Sequence, residues 1–240
     1  MSVALRTQHD CALVNEMRAV RDKQASGSAK FREICDTPSF GSSLADTKMS
    51  NAALALQNDF PGGNMREELD KNIYTRLLLA SASASEEYFR SNLLHLFSDA
   101  NFQEGYARSP THKPEELTIR IAPVKGLERA LVKFDEYASE VDHWPVAPQI
   151  RDTLRCTIEA PNGDAFADAT KAIMTSFSMR EGNGRMKNNL MSTKHQPPNL
   201  LMNVVICPPD MQPITAEIQL YLQEIEELNE HHYYEVQGSV

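Results

Sequence analysis

The sequence predicts an α+β protein: a mixed β-sheet with flanking helices, preceded by an N-terminal helical region. Three observations lead there. From Leu117 onward, short runs alternate apolar and polar residues with the period of two that a half-buried strand requires. Between these runs, apolar residues recur at helical spacing over 126–138 and 164–177. The resulting order, β-α-β-α-β-β-α, suits a mixed sheet with helices packed on it. The chain therefore divides into a helical and irregular region, 1–116, and a sheet-bearing domain, 117–240.

The elements follow in order. The first 50 residues have weak periodicity and Ser/Gly-containing stretches at 25–29 and 39–44, which reads as an extended or loosely docked arm. Phe60-Pro-Gly-Gly-Asn is a loop. From Met65 to about Ser98, Leu69, Ile73, Leu77, Tyr88, Leu94 and Phe97 keep helical spacing, with an Ala/Ser patch near 80–85 that reads as a turn or a join between two helices. Leu117 to Ala122 alternates as a strand, and Leu127, Leu131, Phe134 and Ala138 mark the next helix. A strand follows over Ile150 to Glu159, then a helix over Asp164 to Phe177 with Asp164 as its N-cap. Gly182 to Asn189 reads as a glycine-bearing basic loop. Leu200 to Cys207 is a nearly continuous apolar run that suits a central strand. Pro208-Pro209 ends it, Ile214 to Tyr221 alternates again, and Gln223 to Gln237 closes as an acidic helix. No internal repeat is visible.

The chain has 240 residues and a formal charge of −9, which excludes a general nucleic-acid coater, since that role needs a broad basic footprint. No apolar run reaches the roughly 18–20 residues of a membrane span. The amino terminus lacks the apolar core of a secretory signal. Cys11, Cys35, Cys156 and Cys207 are widely spaced, so reduced thiols in a cytoplasmic or other reducing compartment are expected, with Cys156 and Cys207 buried as small hydrophobes. Charge is uneven along the chain. Residues 121–200 hold ten basic and ten acidic residues, whereas 201–240 hold seven acidic and no basic ones. A site with an anion-binding wall and a metal-binding wall has this distribution; so does a plain acidic terminal helix.

Several side chains are candidates for chemistry. Lys125, Arg129 and Lys133 recur every four residues and share one helix face. Such like-charge neighbours repel by a few tenths of a kcal/mol per pair unless an anion answers them, so the stripe reads either as a phosphate contact or as a solvated face eased by Glu128 and Glu136. Asp152 falls in the same period-two row as Ile150, Leu154, Cys156 and Ile158, where a carboxylate is costly unless paired or bound to a metal; the alternative is a frayed strand start facing water. Glu217 and Gln219 point together to the face opposite Ile214, Ala216, Ile218 and Leu220, where they line either a cleft or solvent. Arg185 and Lys187 suit phosphate, or simply an exposed basic loop. His232 and Glu235, at i,i+3, form a weak metal pair that does not make a zinc site by itself.

In order and spacing these pieces resemble the nucleotidyltransferase-fold synthetase domain of the RelA/SpoT family, the alarmone synthetases. The likeness covers about Leu117 to the carboxyl terminus and rests on Lys125 and Lys133, the strand with Asp152, Gly184-Arg-Met-Lys187, and Ala216-Glu-Ile-Gln-Leu220 ahead of a His-bearing helix. It implies ATP as donor, with Lys125 and Lys133 on its phosphates and Arg129 in the same stripe. It also implies Asp152 as a magnesium ligand, Glu217 as the second carboxylate activating a ribose 3′-hydroxyl, and Arg155, Arg185 and Lys187 facing nucleotide phosphates. This matches the chemistry of pyrophosphoryl transfer, which needs a metal, cations around the phosphates and a carboxylate on the nucleophile. Two places depart from the family. Arg155 stands three residues after Asp152, closer than the family's arginine, and the family's Gly-Tyr-x-Ser-x-His run, with its guanine-stacking tyrosine, is replaced by Pro197-Pro-Asn-Leu-Leu-Met-Asn203. Two functions stay open: a divergent magnesium-dependent nucleotidyl or pyrophosphoryl transferase, and an inactive synthetase-like fold whose N-terminal region docks a protein partner in a larger assembly.

Overall fold

The computed structural model of the chain describes residues 3–41, 51, 69–105, 115–140, 145–192 and 196–228. Among them, seven strands form one mixed sheet: β1 (Phe40–Gly41), β2 (Asn101–Glu104), β3 (Thr118–Ala122), β4 (Leu154–Ala160), β5 (Gly184–Asn188), β6 (Leu200–Ile206) and β7 (Ile214–Leu222). Their order across the sheet is β1-β5-β6-β7-β4-β3-β2. Pairs β2/β3 and β4/β7 are parallel and the others antiparallel. The helices are α1 (Val3–Gly27), α2 (Ala29–Cys35), α3 (Thr75–Leu96), α4 (Leu127–Glu140) and α5 (Gly163–Ser176). No helix among the described residues is long and apolar enough to cross a membrane.

Alternation gives the sheet two unlike faces. Leu154, Cys156 and Ile158 on β4, Ala216, Ile218 and Leu220 on β7, and Leu200, Met202 and Val204 on β6 are at most 2 % exposed, and α3 and α5 pack on β4 and β7. The alternate residues are mostly polar: Arg155, Thr157 and Glu159 on β4, Glu217, Gln219 and Tyr221 on β7, Arg185 on β5, and on β6 Asn203 between the apolar Leu201 and Val205. After β4 the chain crosses over through α5, as a parallel neighbour requires. The antiparallel run β5-β6-β7 then returns it to lie beside β4. This return sets Glu217 in register with Arg155.

The amino-terminal segment differs from the loosely docked arm expected of it. It is helical, and Met17, Phe31 and Ile34 are buried. Phe31 meets Phe166 of α5 edge-on with ring centroids 5.0 Å apart, and two such fully buried rings contribute about 1.5–3 kcal/mol each. Gly163 makes the approach possible: a Cβ there would lie 2.8 Å from that of Phe31. Ser28 caps α2 by accepting from the Phe31 N–H (3.0 Å) and donates to Asp164 (2.6 Å). The N-cap of α5 is therefore Asn162, whose side chain accepts from the Ala165 N–H, while Asp164 sits in the first turn and bonds to α2.

Other expectations are also revised. The Ala/Ser patch near 80–85 is no join, because α3 runs unbroken and Ala82 and Ser85 are fully buried, their small side chains permitting close packing. The basic loop 182–189 contains β5, with Met186 buried between half-buried Arg185 and exposed Lys187. Residues 101–104, within the region read as helical or irregular, form the edge strand β2. Cys207 is exposed just past β6, while Cys35 and Cys156 are buried. Residues 223–228 are helical; the remainder of the expected acidic helix, with His232 and Glu235, and the Phe60–Asn64 loop lie outside the described residues.

Candidate functional site

One cross-strand row organises the polar face. Arg185 of β5 is opposite Asn203 of β6, Asn203 is opposite Glu217 of β7, and Glu217 is opposite Arg155 of β4. At the β4 end the chain enters irregularly, so Asp152 does not share the apolar row of Leu154 and Cys156: the strand begins only at Leu154. The Lys125 N–H donates to the Thr153 carbonyl (3.0 Å), which holds the lead-in to α4 against the lead-in to β4. That brings Lys125 Nζ to 2.6 Å from Asp152 Oδ2, with side chains 6 % and 20 % exposed. A further tie comes from the N-terminal region. Asp70, fully buried in the π-helical turn Leu69–Tyr74, accepts from the Val146 and Ala147 N–H groups (2.6 and 3.0 Å) and so anchors the segment that runs to Asp152. Burial raises the pKa of Asp70 against these two donors.

Glu217 is the electrostatic centre of the cluster. Burial pushes its carboxyl above the usual range; the hydrogen bond donated by Gln219 Nε2 to its Oε1 (2.7 Å) opposes this, Asp152 adds to it, and Lys125 and Arg155 oppose it. Burial in turn lowers the pKa of Arg155, with Glu217 holding it up. Tyr137 reaches in from α4: burial raises its phenol, and the charges of Lys133, Asp152, Arg151 and Glu217 all act on it. A carboxylate that is buried, within electrostatic reach of a second carboxylate and flanked by cations is suited to accept a proton from a bound hydroxyl.

Of the eight candidate residues, Lys125, Asp152, Arg155 and Glu217 come together, and Arg185 stands at the other end of the row. Lys133 flanks the cluster. Its Nζ is bonded to Glu136 (2.9 Å) and lies 5.2 Å from the Tyr137 ring centroid; the Glu136 bond raises its pKa against burial. Arg129 is exposed on α4 and acts on Glu136. Lys187, one pleat repeat from Arg185, lines a separate cavity of about 410 Å³ with Cys35, Asp36 and Asn189. Thus the regular four-residue stripe does not act as a unit, because Lys125 precedes α4 and turns inward to Asp152.

Magnesium fits this site in part. Among the described residues there is no group of three or more His, Cys, Asp or Glu side chains placed to hold a metal. Magnesium is bound through one or two carboxylates together with waters and substrate phosphates, and Asp152 and Glu217 are such a pair. Asp152 Oδ1 is buried and has no hydrogen-bond partner, while Oδ2 is taken by Lys125. Sequence reasoning missed Asn203 and Tyr137. Asn203 is the one polar side chain in the run Leu200–Ile206, and Tyr137 follows Lys133 by one helical turn, so both carried a readable signal. A comparison with protein-family models and with curated proteins found no match to this chain.

Proposed function

We propose that the chain is a divergent RelA/SpoT-like, nucleotidyltransferase-type synthetase that moves a nucleotidyl or pyrophosphoryl group from a magnesium-bound nucleotide to a hydroxyl acceptor. The observation that carries this reading is the convergence of Lys125, Asp152, Arg155 and Glu217, drawn from three separate stretches of sequence, on the polar end of β4 and β7. Asp152 and Glu217 would hold the magnesium, which when bound neutralises phosphate charge. Arg155 and Lys125 supply positive charge beside the transferred group, and Arg185 does so at the far end of the row. Glu217 takes the proton of the acceptor hydroxyl as that oxygen bonds to phosphorus. The phosphorus–oxygen bond to the leaving group breaks, and its electron pair departs with that group.

A second reading has its own observation. The 2.6 Å Lys125–Asp152 pair satisfies one oxygen of the candidate ligand within the protein itself. That suits an inactive synthetase-like fold serving as a subunit of a larger assembly. Incubation of the full chain with labelled ATP, magnesium and a panel of nucleotides and RNAs separates the two: labelled acceptor that forms with wild type and not with Glu217→Gln supports the transferase. Absence of product with every acceptor, together with unchanged melting on adding magnesium and ATP, supports the subunit.

A further inference from the structure

Asn203 is 1 % exposed, and neither its Oδ1 nor its Nδ2 has a hydrogen-bond partner. Leaving such groups unpaired in a protein interior costs about 1–3 kcal/mol each. Every other residue of β6 from Leu200 to Ile206 is apolar, so packing alone gives no reason for an amide here. Its place is specific: register sets it between Arg185 on one side and Glu217 on the other, on the polar face. Adjacent strands lie about 4.8 Å apart, so the row from Arg185 through Asn203 and Glu217 to Arg155 spans roughly 14 Å. Along that line the chemistry runs cation, donor-plus-acceptor, carboxylate, cation.

We infer that Asn203 binds the sugar of the acceptor, its carboxamide donating to one hydroxyl and accepting from the neighbouring one. This rests on reading the site as one that handles nucleotides. A carboxamide offers a donor and an acceptor side by side, and vicinal hydroxyls, each able to donate and accept, complement both at once. Arg185 then answers an acidic group carried by the same sugar, and Glu217 receives the hydroxyl that reacts. The row thereby fixes the direction in which a phosphorylated sugar lies: phosphate toward β5 and reacting hydroxyl toward β7. The edge of a nucleobase is the other group that could pair with a carboxamide, but the carboxylate one strand away favours hydroxyls, which can donate to it.

The test is titration of the full chain, with magnesium, by each of the four ribonucleoside triphosphates and by their 2′,3′-dideoxy counterparts. In wild type at least one ribonucleotide binds about tenfold more tightly than its dideoxy form, the size expected of two hydrogen bonds. In Asn203→Leu that ratio falls to about one, whereas Arg185→Ala weakens ribo and dideoxy forms alike. Asn203→Ala, whose melting is compared with wild type, serves if the leucine variant does not fold. A ratio that survives in a folded Asn203 variant, or a variant that changes the preferred base and leaves the ratio intact, overturns the inference. Equal binding of both sugar forms by wild type also overturns it and leaves the nucleotide reading standing, while no binding of any nucleotide by wild type removes both.

Discussion

The two ends of the parallel pair β4/β7 carry similar charges on the same face and treat them in opposite ways. At the far end, Arg120 of β3 bridges Glu159 of β4 (2.5 Å) and Glu226 (2.7 Å), all three buried, so each charge is answered within the fold. At the near end Glu217 is buried and raised in pKa, and Asp152 Oδ1 and both polar atoms of Asn203 meet no partner. The difference teaches which cluster holds the protein together and which is built for something else. A closed ion network is kept because breaking it costs stability, whereas polar atoms left unanswered lower stability and persist where a ligand completes them. A hydrogen-bonded chain also reaches Glu217, starting from the residue after β5 and the residue before β6 and running back along β7. Asn189 Nδ2 donates to Asn199 Oδ1, Asn199 Nδ2 to the Tyr221 hydroxyl, that hydroxyl to Gln219 Oε1, and Gln219 Nε2 to Glu217.

The comparison is best broken at its extremes. Under the proposed transferase reading, Glu217→Gln lowers the rate of group transfer by about a hundredfold or more, the scale of a lost proton acceptor, with no loss of fold by circular dichroism. Undiminished turnover would place the two ends on the same structural footing. Arg120→Leu leaves two buried carboxylates facing one another and costs about 3–5 kcal/mol in urea unfolding. Asp152→Asn removes the partner of a lysine 6 % exposed, but the 20 % exposure of Asp152 admits water, so the same measurement loses only about 2 kcal/mol.

The pH dependence of Glu217 sharpens the contrast. Its carboxyl is raised in the folded state, so the folded protein holds that proton more tightly than the unfolded chain does. Its favourable contribution is complete below the ordinary carboxylate range and is lost as pH rises through the folded value. In magnesium-free buffer Glu217→Gln therefore melts above wild type at about pH 8, and the two melting curves converge toward about pH 4. The smallest effect belongs to Tyr221→Phe, which removes the hydroxyl in the middle of the chain and leaves the Asn199 amide without its acceptor; about 1 kcal/mol of stability is lost.

The strands β3, β4, β6 and β7 and the helices α4 and α5 were legible because each shows its own period over enough residues to be read locally. β5 was obscured because its flanking glycines and basic residues read as a loop, even though Met186 alternates with Arg185 and Lys187. β1 and β2 are too short to carry a pattern, and they exist only because a longer strand lies beside each. The docking of α1 and α2 was hidden for a different reason. Met17, Phe31 and Ile34 are few among many polar residues, and the burial of Phe31 depends on Gly163 of a helix far along the chain leaving room for it.

The candidate site divides in the same way. Sequence alone supplied the residue types, the alternating strand that begins at Ile214 and the period that turns Glu217 away from the apolar core, since side-chain period is a local property of the backbone. Only the tertiary structure decided which of the cations meet the carboxylates. Lys125 turns to Asp152 because its backbone is bonded to Thr153, Arg155 meets Glu217 because β7 returns beside β4, and Asn203 lies between Arg185 and Glu217 because three antiparallel strands fall into one register. These are choices of strand order and register, set by the packing of the whole apolar face against α3 and α5, and a local period carries no information about either.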